Sequence, residues 1–119
     1  MMVERRAIRQ EEAEVLRAAI EKAALVSISP EVLSSIPQLT IVGRCECGCP
    51  SIHFDDRSPL KSTVLAHGVG KTPAGGSVGI LVWGRPDAIT GLEIYDLGAG
   101  DEDLRLPVPD SIEAWPPGR

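Results

Sequence analysis

The spacing of the apolar residues changes at Pro37, and this change limits the fold more than any other feature of the sequence. Across residues 8–26 the apolar side chains recur three, four and seven positions apart, which predicts one amphipathic helix. Residues 29–31 (Ser-Pro-Glu) supply an N-cap, a first-turn proline and an acidic side chain for a second, short helix that reaches Ser35. Pro37 then ends the helical part of the chain.

Beyond Pro37 the apolar residues alternate with others, which is the period of a β-strand. The turn at residues 48–50 makes the first two predicted strands a hairpin. The run at 77–83 is apolar on both faces and is therefore placed in the centre of the sheet, whereas 89–97 has one wet face. The alternation predicts strands at residues 39–47, 51–54, 62–69, 77–83 and 89–97.

Helices that come first, followed by strands with short links and no helix between them, predict an α+β fold. The N-terminal amphipathic helix and the short second helix would pack on an antiparallel β-meander of about five strands. A chain of 119 residues makes a single domain. Its predicted parts are a helical region at 1–36, the sheet at 38–97 and an acidic, proline-rich segment at 98–119, in which residues 111–115 form one helical turn.

The net charge of −5 arises in the last 27 residues, which hold seven acidic and two basic side chains. This balance and an aromatic content of 3% argue against nucleic acid as a partner, and no apolar run reaches the length of a membrane-spanning helix. Charge of one sign steers association with a basic surface, so Asp96, Asp101, Glu102 and Asp103 are candidate contacts for a protein partner. A sheet face with only one long covering helix also makes a homodimer an option.

The three cysteines, Cys45, Cys47 and Cys49, lie within five residues, and His53 follows them. Thiols and imidazoles are zinc ligands, so these four residues are a candidate metal site. One-residue spacing on a strand aims the sulfurs in parallel, however, which weakens the case for a shared metal ion. The sequence supplies no second cysteine pair, so His53 or His67 would have to complete the site from a neighbouring strand. Two alternatives stay open: Cys45 is a small buried hydrophobe with the other two thiols at a turn, or exposed thiols pair in redox chemistry. An odd, clustered set of cysteines does not suit a secreted disulfide framework and predicts reduced thiols. The charged N-terminus leads into acidic residues rather than into the apolar core of a signal peptide, so the default expectation is a cytoplasmic protein.

No segment carries a complete catalytic motif. Residues 70–72 (Gly-Lys-Thr) look like the end of a phosphate-binding loop, but Leu65 stands where the pattern needs glycine and Pro73 follows instead of a helix. A cysteine nucleophile with His53 or His67 as its base stays open. The sequence therefore favours a non-enzymatic protein-binding domain, and the alternative is a small zinc-binding or thiol-dependent enzyme or sensor at the cysteine hairpin.

Three segments taken together resemble a family of small uncharacterised bacterial proteins: residues 42–49 with their Cys-x-Cys-Gly-Cys hairpin, residues 91–95 and residues 106–112. The similarity extends over roughly residues 38–112. It implies a bacterial cytosolic protein with no assigned activity, and it transfers no catalytic residue.

Overall fold

The structure is a computed structural model that describes residues 6–44, 51–54, 63–85, 88–98 and 105–115. This part of the chain contains two helices and a mostly antiparallel sheet, which confirms the predicted α+β class. Among these residues, no helix combines the length and the apolar character that crossing a membrane requires.

Helix α1 (Gln10–Ala23) is shorter at both ends than the sequence predicts. Before it, strand β1 (Arg6–Ala7) pairs with strand β2 (Thr40–Ile41) in a separate two-stranded sheet. After it, Ala24 forms an isolated antiparallel bridge with Ala66. The predicted helix ends are wrong because strand partners distant in sequence satisfy the backbone groups on either side of the helix.

A side chain accepts a backbone N–H at the start of each helix. The carboxylate of Glu12 reaches back and accepts a hydrogen bond from the backbone N–H of Arg9 at 2.9 Å, which satisfies a donor at the start of α1. The same carboxylate accepts two hydrogen bonds from the guanidinium of Arg6, each 2.9 Å long. Helix α2 (Pro30–Ser35) begins as predicted, because the hydroxyl oxygen of Ser29 accepts a first-turn backbone N–H at 3.4 Å.

Within the described ranges, the main sheet contains six strands in the order β3-β4-β7-β6-β5-β8, and every neighbouring pair is antiparallel. The strands are β3 (Gly43–Arg44), β4 (Ile52–His53), β5 (Thr63–Lys71), β6 (Ser77–Arg85), β7 (Ala88–Asp96) and β8 (Glu113–Ala114). Strand β6 lies inside the sheet, as predicted from its two apolar faces. Strand β4 lies beside β7 and not beside β5, so the β3–β4 hairpin extends the meander of β5, β6 and β7 at its far edge. The strand predicted at 39–47 is divided between the two sheets.

Helix α1 packs on one face of the main sheet, which we call the inner face. Val78, Ile80 and Val82 of β6 point into this core with no exposed surface, and Leu92 and Ile94 of β7 lie beside them. The helix contributes its buried stripe, Val15, Leu16, Ala18, Ala19, Ile20 and Ala23. Each large aliphatic side chain buried in this way stabilises the fold by about 1.5–3 kcal/mol.

Buried backbone and hydroxyl contacts attach β4 to β7. The hydroxyl of Ser51 accepts a hydrogen bond from the N–H of Ile94 at 2.9 Å and donates to the carbonyl of the same residue at 3.3 Å. At the other end of β4, the N–H of Phe54 donates to the carbonyl of Thr90 at 2.9 Å. These contacts fix the register of β4 on β7. In this register His53 lies opposite Gly91, and both residues are on the face of the sheet that points away from α1.

The prediction of a helical turn at residues 111–115 is wrong. A 3-10 turn at Pro109–Ser111 is followed by the short strand β8, which pairs with β5. The hydroxyl of Ser111 accepts the backbone N–H of Lys71 at 2.8 Å, and Ile112 is buried in the core. The edge of β5 offers this segment backbone partners, so it continues as a strand rather than as a helix.

Candidate functional site: the outer face of the sheet

The face of the main sheet that points away from α1, which we call the outer face, follows from the alternation of side chains along the strands. In β6 the core residues alternate with Gly79, Leu81 and Trp83, which therefore point the other way. Strand register places Tyr95 opposite Gly79, and Glu93 opposite Leu81. The outer face includes His53, His67, Val69, Lys71, Ser77, Gly79, Leu81, Trp83, Gly91, Glu93 and Tyr95.

Aromatic side chains concentrate on the outer face. The chain has four of them, and Phe54 is the one buried in the core. Trp83 and Tyr95 project from the outer face and are half-buried, and Trp115, which follows β8, folds onto the same face. The core is thus built almost entirely from aliphatic residues, and the aromatic surface is kept where solvent reaches it.

Tyr95 lies flat across its neighbouring strand because its cross-strand partner is a glycine. A Cβ atom at Gly79 would collide with the ring atoms of Tyr95. Only a residue without a side chain leaves room for the ring at this position, so the backbone of β6 forms the floor beneath it. The ring consequently has one orientation, in which its hydroxyl points towards β5.

The hydroxyl of Tyr95 meets the ring of His67 on β5. A hydrogen bond of 2.6 Å joins this hydroxyl to Nε2 of His67, and the two ring centroids are 6.1 Å apart. Burial raises the pKa of Tyr95 above its ordinary value, and the negative charge of Glu93 raises it further. The phenol is therefore neutral at physiological pH and can hydrogen-bond with the imidazole.

Trp115 completes the row on the other side of His67. The two rings stack with centroids 5.4 Å apart and an angle of 22° between their planes. The backbone N–H of Trp115 donates to the carbonyl of His67 at 3.0 Å, so the indole is fixed at its root while 43% of the residue stays exposed. We call the set of Tyr95, His67 and Trp115 the aromatic ladder; it runs from β7 across β6 and β5 to the sheet edge.

A groove of about 330 Å³ opens beside the ladder, between β8 and the adjoining ends of β5 and β6. Val69, Leu97 and Trp115 form apolar walls, and Lys71 and Glu113 place opposite charges in the same groove. The ammonium group of Lys71 donates a hydrogen bond to the hydroxyl of Ser77. The ladder and the groove share Trp115 and so form one continuous surface.

The structure tests the predicted metal site only in part. His53 is exposed and lies on the outer face above Gly91, with Nδ1 3.6 Å from the position of a Cβ there. Cys45, Cys47 and Cys49 lie outside the described residues. Within the described ranges, no three His, Cys, Asp or Glu side chains come together as a metal site. The zinc hypothesis stays a prediction.

The predicted acidic contacts are placed in part as well. Asp96 is exposed at the end of β7, where its carboxylate accepts the backbone N–H of Gly98 at 2.8 Å. Asp101, Glu102 and Asp103 lie outside the described residues.

The alternation along residues 89–97 predicts that Tyr95 lies on the wet face of its strand, but it does not connect Tyr95 with His67 or with Trp115. Two features of the sequence pointed to this face. Aromatic residues are rare in the chain, and a glycine stands at position 79 inside an otherwise apolar strand. Neither a protein-family model, nor a curated protein, nor a solved structure matches this chain.

Proposed function

We propose that this protein is a non-enzymatic binding domain whose outer face receives another protein that carries a basic surface. The observation that carries the proposal is the aromatic ladder, in which Tyr95, His67 and Trp115 are held in one arrangement by a glycine floor, a hydrogen bond and a ring stack. Tryptophan and tyrosine are enriched among the residues that supply most of the binding energy at protein interfaces. Side chains that are already ordered lose little conformational entropy when a partner binds.

Charge supports a basic partner. The excess negative charge of the chain lies in its last 27 residues, and Asp96 is exposed at the end of a ladder-bearing strand. Together with Asp101, Glu102 and Asp103, which follow it in the sequence, it would attract a basic surface towards the protein. The rate of association should then fall as the salt concentration rises. At low salt, the double variant Asp101→Asn/Asp103→Asn should associate more slowly than the unmodified chain. An association rate that does not depend on salt contradicts this electrostatic part of the proposal.

Site-specific photo-crosslinking in the native host tests the proposal. A photoreactive residue at position 93, in place of the exposed Glu93 beside the ladder, should give a discrete adduct with another protein. The same residue at position 17, in place of Arg17 on the exposed side of α1, is the matched control and should give none. Adding Tyr95→Ala should abolish the adduct at position 93.

Equal adducts at both positions, or none at position 93, contradict the proposal. An adduct with twice the mass of the chain would identify the occupant as a second copy and so replace the basic partner with the homodimer expected from the sequence.

A further inference from the structure

The groove places two opposite charges at a separation set by strand geometry. Glu113 on β8 lies opposite Val69 of β5, and Lys71 lies two residues further along the same face of β5. Two residues of a strand span about 7 Å along the backbone. Both side chains line the groove, and no ion pair joins them within the described part of the chain.

Neither charge is neutralised within the described part of the chain. The ion pair found there joins Arg6 and Glu12, neither of which lines the groove. The ammonium of Lys71 uses one of its three donors on the hydroxyl of Ser77, which leaves two for a ligand. A ligand that carries a carboxylate near Lys71 and an ammonium near Glu113 would satisfy both.

Between the two charges the groove wall is apolar. Val69, Leu97 and Trp115 line it, and the last two are among the exposed large hydrophobic residues, with 37% and 43% of their surface accessible. A volume of about 330 Å³ lies at the lower end of the range for small-molecule sites and suits a ligand with few atoms.

We propose that this groove binds a free α-amino acid with an apolar side chain. Its carboxylate would accept hydrogen bonds from Nζ of Lys71, its ammonium would donate to the carboxylate of Glu113, and its side chain would cover Trp115. The ligand is a free amino acid rather than a chain terminus, because a peptide end carries only one of the two charges.

Fluorescence titration of the full chain tests the proposal. In the variant Trp83→Phe, Trp115 is the only tryptophan left, so its emission reports the groove alone. L-leucine, titrated to about 10 mM, should give a saturable change. Leucinamide, which lacks the carboxylate, and N-acetylleucine, which lacks the ammonium, should each bind about tenfold more weakly or worse.

Substitutions in the same background give the reciprocal test. Lys71→Met and Glu113→Gln should each weaken the binding of leucine by about tenfold or more. The matched controls Arg17→Met and Glu21→Gln remove the same charges from the exposed side of α1 and should leave it unchanged.

No saturable signal with leucine overturns the proposal, as does equal binding of leucine and both analogues, or binding that survives both groove substitutions. These titrations need no protein partner, so their outcome is independent of the crosslinking result at position 93.

Discussion

Replacing Gly79 with alanine perturbs the aromatic ladder at its floor. The new Cβ would occupy the space of the Tyr95 ring, so the ring has to move away. The move breaks the hydrogen bond with His67, which contributes about 0.5–1.5 kcal/mol. It also removes aromatic packing that contributes about 0.5–1.5 kcal/mol. In the opposite direction, alanine inside a strand is more favourable than glycine by about 0.5–1 kcal/mol of folding free energy, because glycine loses more backbone entropy on folding. We therefore expect Gly79→Ala to lower the free energy of unfolding by about 1 kcal/mol, with about 2.5 kcal/mol as the upper bound.

The sign of this effect should reverse when the ring is absent. In a Tyr95→Ala background nothing obstructs the Cβ, so Gly79→Ala should raise the free energy of unfolding by about 0.5–1 kcal/mol. The two effects define a coupling energy of about 1–3 kcal/mol between positions 79 and 95. Urea unfolding followed by circular dichroism measures all four members of the cycle, provided that the m-value stays constant.

Gly91 supplies the matched control on the same face. A Cβ there would lie 3.5 Å from its nearest neighbour, the carbonyl oxygen of Ile52, which is an ordinary contact. Gly91→Ala should be neutral or slightly stabilising in both backgrounds. If Gly79→Ala changes stability equally with and without the Tyr95 ring, with a coupling energy below about 0.5 kcal/mol, then the ring does not lie on the glycine and the reasoning fails.

Three further outcomes are expected. Tyr95 is the only tyrosine, so tyrosinate absorbance gives its pKa directly. This pKa should lie above 10, and Glu93→Gln should lower it. The contribution of Tyr95 to stability should be constant below about pH 10 and be lost as pH rises through the folded-state value. Burial opposes the charged form of Glu12, but the hydrogen bonds from Arg6 and Arg9 outweigh burial and lower the pKa of this carboxylate, so stability should fall as acid protonates it. Glu12→Gln should lower the free energy of unfolding by about 1–3 kcal/mol, whereas Glu11→Gln, at an exposed position, should change it little. If zinc binds at the cysteine hairpin, protein purified without added zinc should contain about one equivalent of metal, and Cys47→Ser should lose it. Less than about a tenth of an equivalent in the unmodified chain rejects the site.

Features that depend on neighbouring residues could be read from the sequence. Ser29 caps α2 because its hydroxyl needs only the following turn, and β6 is central because both of its faces are apolar. The segment at residues 111–115 could not be read in this way, because the edge of β5 and the burial of Ile112 decide its conformation.

The aromatic ladder was hidden for the same reason. The requirement for glycine at position 79 exists only because strand register brings Tyr95 over it, and register is a property of the folded sheet. Trp115 reaches His67 only after the last segment has joined the edge of β5. The glycine at position 79 is visible in the sequence, but local patterns do not show which side chain will lie over it.

The place of β4 beside β7 has a consequence for the speed of folding. Strands β5, β6 and β7 follow one another in the chain and can pair as successive hairpins, whereas Ile52 of β4 must find Leu92 across 40 residues. The entropy lost in closing a loop grows with its length, and folding slows when distant contacts are needed. We therefore expect the three-stranded meander of β5, β6 and β7 to form first. The pairing of the β3–β4 hairpin with the edge strand β7 should then limit the rate at which the sheet is completed.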